Sequence, residues 1–80
     1  MVIKHLKLRI YGRVQGVGFR YSADLEATKL KIAILAQNEP DGSVYIEAEG
    51  KKEPLQKFIA WCHKGPTFAK VERVEESWGD

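Results

Sequence analysis

The stretch Gln15-Gly16-Val17-Gly18-Phe19-Arg20 carries the residue types needed to hold an anion. It follows an alternating, strand-like segment and precedes a helical one. The first N–H groups of a helix have no intrahelical acceptor, and the aligned peptide dipoles add partial positive charge there. Glycines at 16 and 18 remove side chains that would keep an anion away. They also permit the dihedrals that turn successive N–H groups inward. Arg20 adds a guanidinium fork suited to two phosphate oxygens. No Asp or Glu stands between Gly12 and Tyr21 to oppose a negative ligand. Two phosphate-binding patterns are excluded: Tyr21 occupies the third glycine of a dinucleotide fingerprint, and no Gly-Lys-Ser/Thr closes a Walker loop. The competing reading is a tight glycine turn with Arg20 solvated or paired to Asp24. These residues alone leave both open.

The surrounding pattern shows what would position this loop. Leu6, Leu8 and Ile10 alternate with His5, Lys7, Arg9 and Tyr11, a half-buried strand. From Arg20 to about Lys31 the spacing turns helical, with Phe19, Ala23, Ala27 and Leu30 on one face. Residues 32–36 are a short apolar run, read as a second strand. Pro40-Asp41-Gly42 is a turn, and Val44, Ile46 and Ala48 then alternate with Tyr45, Glu47 and Glu49. Leu55, Phe58, Ile59 and Cys62 make a second amphipathic helix, stopped by Gly65-Pro66. Residues 69–78 read as a last strand. Val71 and Val74 have opposite parity there, which predicts a bulge or a change of face between them. The order β-α-β-β-α-β belongs to the α+β class. It predicts a ferredoxin-like split βαβ sandwich: a four-stranded antiparallel sheet, two helices on one face, strands one and three central.

Composition narrows the rest. Eighty residues suffice for one domain, expected to span 1–80. The net charge of +2 gives little support for nucleic-acid binding. No apolar run is long enough for a membrane helix, and the start shows no leader pattern. The single Cys62 rules out an internal disulfide and a cysteine-rich zinc module, and it falls on the apolar stripe of the second helix. A cytoplasmic setting is expected. His5 and His63 come with no ligand pattern, so neither a metal nor another cofactor is expected. Tyr11 and Tyr45 would share the uncovered sheet face, the one hint of an RNA-binding sheet. Glu47 and Glu49 on that face would repel phosphates.

The run Gly12-Arg13-Val14-Gln15-Gly16-Val17-Gly18-Phe19-Arg20 resembles the signature of the acylphosphatase family. The likeness extends through the turn at 38–42 and the Gly65-Pro66-Thr67-Phe68-Ala69-Lys70-Val71 segment. The resemblance implies a ferredoxin-like enzyme that hydrolyses the carboxyl-phosphate anhydride of small acyl phosphates to carboxylate and inorganic phosphate. It implies that the main-chain amides of Gln15, Gly16, Val17, Gly18 and Phe19, with Arg20, cradle the phosphoryl group. Arg20 would stabilise the transition state, and Asn38 would hold the attacking water. No metal and no covalent intermediate are implied. Inorganic phosphate would be product and competitive inhibitor, and a monomer with neither nucleic-acid nor membrane partner is expected. One departure stands out. The family usually reads Gly-Leu-x-Gly-Trp-Val-x-Asn into the second strand, and this chain has Lys31-Ile32-Ala33-Ile34-Leu35-Ala36-Gln37-Asn38. A one-residue slip there would turn Asn38 to the other face. Glu39, if it faced the site, would repel an anionic substrate. The alternative reading is therefore a catalytically weakened anion-binding or regulatory domain of the same fold.

Overall fold

A computed structural model describes residues 2–79; Met1 and Asp80, at the ends of the expected 1–80 domain, lie outside the described residues. The elements run β1 (Lys4–Arg13), α1 (Phe19–Leu30), β2 (Ala33–Asn38), β3 (Val44–Gly50), α2 (Lys52–Lys64) and β4 (Lys70–Gly79). All strand pairs are antiparallel, in the order β2-β3-β1-β4, so β1 and β3 are central as expected. The two-residue period puts Leu6, Leu8 and Ile10 of β1 and Val44, Ile46 and Ala48 of β3 on one face, all buried. Phe19, Ala23 and Ala27 of α1 and Leu55, Phe58, Ile59 and Cys62 of α2 join them in one core. No helix among the described residues is long and apolar enough to cross a membrane.

The parity break in β4 is a bulge. Tyr11 pairs with Arg73 and Gly12 with Val71, leaving Glu72 without an opposite residue. The extra residue lets Val71 and Val74 both pack against the core.

The start of β2 differs from the expected run at 32–36. Helix α1 ends at Leu30, and Lys31 adopts a left-handed conformation (φ 59°, ψ 42°). The Ile32 N–H donates to Ala27 O (3.1 Å) and the Lys31 N–H to Thr28 O (3.2 Å), a Schellman cap. Ile32 is thus spent on closing the helix, with its side chain buried, and pairing begins at Ala33. Lys31 is the only non-glycine residue with positive φ among those described. A β-carbon in this region is strained, whereas glycine is not. Lys31→Gly is expected to stabilise the fold by ~0.5–1 kcal/mol, after allowing for the greater freedom of glycine in the unfolded chain. Thermal unfolding would show this as a midpoint raised by a few degrees; an unchanged or lowered midpoint would contradict the strain.

Candidate active site

The loop between β1 and α1 is built to leave main-chain N–H groups uncommitted. Gly16 has φ 74° and Gly18 φ 77°, values open to glycine and costly for other residues. A Cβ at either would meet no protein atom within 4 Å, so the backbone conformation, and not packing, calls for glycine. Gly18 is left-handed and is followed directly by the helical Phe19, an alternation of the kind that turns successive N–H groups toward one another. No side chain caps this end of α1 and its first turn carries no acid, whereas α2 has Glu53 in its first turn. The first intrahelical bond runs from the Ser22 N–H to Gly18 O (3.0 Å). Phe19 anchors the arrangement. Its ring is 1% exposed and lies 5.3 Å, centre to centre, from Trp61 of α2.

Val14, Gly16, Gly18, Phe19, Arg20, Tyr21 and Asn38 line one concavity of about 180 Å³. The structure thus brings Arg20 and Asn38, distant in sequence, to the same glycine loop. Val17 packs against the core and Gln15 is half-buried; neither is in the lining. Arg20 is exposed and makes no ion pair among the described residues, so Asp24 does not hold it. The guanidinium is available to a ligand at the cavity. Two larger concavities lie elsewhere. One, beside Trp78 and Lys52, is about 700 Å³; the other, on the open sheet face, is about 560 Å³. Neither includes the glycine loop, and size alone does not make them the site.

The altered second strand keeps its register. Asn38 pairs with Val44 at the end of β2, in phase with the Ala36–Ile46 and Ile34–Ala48 pairs. Asn38 therefore belongs to the helix-covered side with Ile34 and Ala36. Glu39 turns away from the concavity: its carboxylate lies 3.6 Å from Arg9 Nη2. The guanidinium of Arg9 also donates from Nη1 to Ser43 Oγ (3.2 Å), and Ser43 Oγ donates to Asp41 Oδ1 (2.6 Å). The Ser43 N–H donates to the same carboxylate (2.9 Å). These bonds from Ser43, side chain first, hold the Asp41 carboxyl below its ordinary value of 3.8.

One contact has no signal in the sequence. The Gln15 side-chain amide donates to Glu39 O (2.8 Å) and Ser43 O (2.9 Å), across the gap between the two loops. The other tempting residues are otherwise engaged. Arg73 covers the Tyr11 ring at 4.0 Å, and Arg9 covers the Tyr45 ring at 5.3 Å. The Tyr45 hydroxyl donates to Glu47 (2.7 Å), which pushes its phenol up. Burial pushes the Cys62 thiol up, leaving it protonated at neutral pH and unreactive. Among the described residues no group of three His, Cys, Asp or Glu side chains could hold a metal ion.

The acylphosphatase family model matches residues 6–80. An acylphosphatase of Thermococcus kodakarensis is 52% identical over 71 residues, covering 89% of this chain and 78% of that protein. The crystal structure of acylphosphatase from Bacillus subtilis superposes with a TM-score of 0.92 at 39% identity, covering 95% of this chain and 84% of that one. Full-length HypF in its phosphate- and nucleotide-bound form matches with a TM-score of 0.90 at 26% identity, covering 99% of this chain but only 10% of that larger protein. With the whole signature loop inside the matched segment and the backbone superposing over nearly its full length, the chain belongs to the acylphosphatase family of enzymes.

Proposed function

We propose that this protein hydrolyses small acyl phosphates by a metal-free, single-displacement reaction at the glycine loop. The observation that carries the reading is the shared concavity. It unites two left-handed glycines, an unpaired arginine and an asparagine, with no carboxylate in its lining. The amides of residues 15–19 and the Arg20 guanidinium hold the phosphoryl oxygens. Asn38 holds a water in line with the bond to the acyl oxygen; its neutral amide can both accept from and donate to that water. The water oxygen forms a bond to phosphorus as the bond to the acyl oxygen breaks. The electron pair leaves with the carboxylate, and a phosphoryl oxygen of the substrate takes the water's proton.

The division of labour follows from the leaving group. A carboxylate is a weak base, so no general acid is needed, and catalysis rests on positioning and on charge stabilisation. Cys62, the lone thiol, is buried and absent from the lining of the concavity, and the reading includes no covalent intermediate. It includes a monomer acting in the cytoplasm.

Acetyl phosphate and benzoyl phosphate are expected to be turned over, with inorganic phosphate competing and EDTA leaving the rate unchanged. A large loss with chelator would contradict the metal-free step. Folded protein at micromolar concentration with no turnover above background would favour a regulatory anion-binding domain instead.

A further inference from the structure

We propose that the Gln15 side chain is a positioning residue. It clamps the turn that carries Asn38 against the phosphate loop, and so sets the distance between the held water and the held phosphoryl group. The inference rests on the mechanism above and adds a role that the main-chain amide of Gln15 does not cover.

The geometry makes the clamp chemically specific. Both partners of the Gln15 amide are carbonyl oxygens, which can only accept, so Nε2 must be the atom facing them. Its two protons meet Glu39 O and Ser43 O, the two ends of the turn that follows Asn38. The same two carbonyls close the turn from within. The Glu39 N–H donates to Ser43 O (2.9 Å), and the Gly42 N–H donates to Glu39 O (3.1 Å). One side chain from the phosphate loop therefore grips both ends of the turn at once. On its far side the turn is held by Arg9, through Ser43 Oγ and the Glu39 carboxylate. Asn38 sits immediately before the gripped residue, at the last pair of the β2–β3 ladder. A reacting pair supplied by two separate loops needs such a cross-tie, because a misplacement near one ångström can cost ~10²-fold in rate.

The clamp can be removed without orphaning a buried group. Each carbonyl keeps its partner within the turn when Gln15 is gone. Gln15→Met, similar in length with no donor, is therefore expected to fold. It should lower kcat by ~10-fold, with the KM and the phosphate inhibition constant moving less than about 3-fold. Gln15→Glu, similar in shape, would aim a carboxylate at two carbonyl oxygens and should lose at least as much. If the glutamine acts through Asn38, adding Gln15→Met to Asn38→Ala should cost less than about 2-fold more. Multiplicative losses, or a folded Gln15→Met enzyme with the parent kcat, would overturn the clamp. A readout without substrate separates this inference from the mechanism. Backbone 15N relaxation in Gln15→Met should show residues 38–43 more mobile than in the parent. An equally rigid turn would reject the clamp whatever the activity, and a loosened turn in a protein that hydrolyses nothing would reject only the mechanism. Should Gln15→Met fail to fold, Gln15→Asn, too short to reach both carbonyls, takes its place in every measurement.

Discussion

Arg20→Ala should reduce kcat/KM for acyl phosphates by ~10²-fold or more while leaving the protein folded, by analogy with the loss of an oxyanion donor. Both halves of that expectation come from the surroundings of the side chain. Arg20 is exposed, contributes nothing to the core, and makes no ion pair among the described residues, so its removal breaks no structural contact. Its value lies in the concavity, where it is the only cation in the lining. Charge on the equatorial phosphoryl oxygens is spread and fixed in direction in the transition state, and a planar fork matches it with two parallel bonds. Arg20→Lys keeps the charge but presents a single ammonium, so it should recover only part of the loss. In the proposed mechanism the guanidinium meets ground-state phosphate oxygens too, so inhibition by inorganic phosphate should weaken alongside turnover. Steady-state kinetics with circular dichroism on the same samples would decide. A folded Arg20→Ala enzyme with near-parent turnover would remove the arginine from the mechanism.

The loop was readable from sequence because its requirements are local. Two glycines, a helix start and an arginine fall within residues 16–20, and each residue type states its own reason for being there. The β4 bulge was readable for a similar cause: two valines of opposite parity that both need burial leave few other solutions. What stayed hidden depends on contacts between distant segments. Nothing in the run from 12 to 20 indicates that Gln15 reaches the turn at 39–43, because a side chain binding carbonyls leaves no periodicity. Glu39 is a related case. Its sequence position suggested a carboxylate opposed to the substrate, but the register of β1 against β3 brings Arg9 to it. The end of α1 was hidden for the opposite reason. Lys31 takes a backbone conformation that glycine usually announces, so the expected helix ran on to Lys31 and the strand was placed too early.

That register also decides the open face of the sheet. Lys7 stands opposite Glu47, and His5 Nδ1 lies 3.3 Å from Glu49. Tyr11 donates to Glu75 (3.2 Å) beneath Arg73. The aromatic rings that suggested base stacking are thus covered by cations already paired with acids. The face is a mixed ladder of charges, whereas Arg20 at the glycine loop makes no ion pair among the described residues.

Asn38→Ala tests the other half of the site, and it should separate binding from chemistry where Arg20→Ala does not. Asn38 is assigned to the water and not to the phosphoryl group. Its removal should lower kcat by ~10²-fold and leave the KM and the phosphate inhibition constant close to the parent values. The substitution should be tolerated, because Asn38 is exposed at the end of an edge strand and its pairing with Val44 uses the backbone. Asn38→Asp sharpens the assignment. A carboxylate could still hold water, but ionised at neutral pH it would stand in the cavity beside a phosphoryl dianion and repel it. Phosphate inhibition should therefore weaken in Asn38→Asp and not in Asn38→Ala. The effect should shrink as pH falls toward the ordinary carboxylate range of about 4, where the new group takes a proton. If both variants kept the parent kcat, the water would have another holder. If Asn38→Ala weakened phosphate as much as it slowed turnover, the asparagine would belong to the anion cradle instead, and the water would have to be placed by the loop alone.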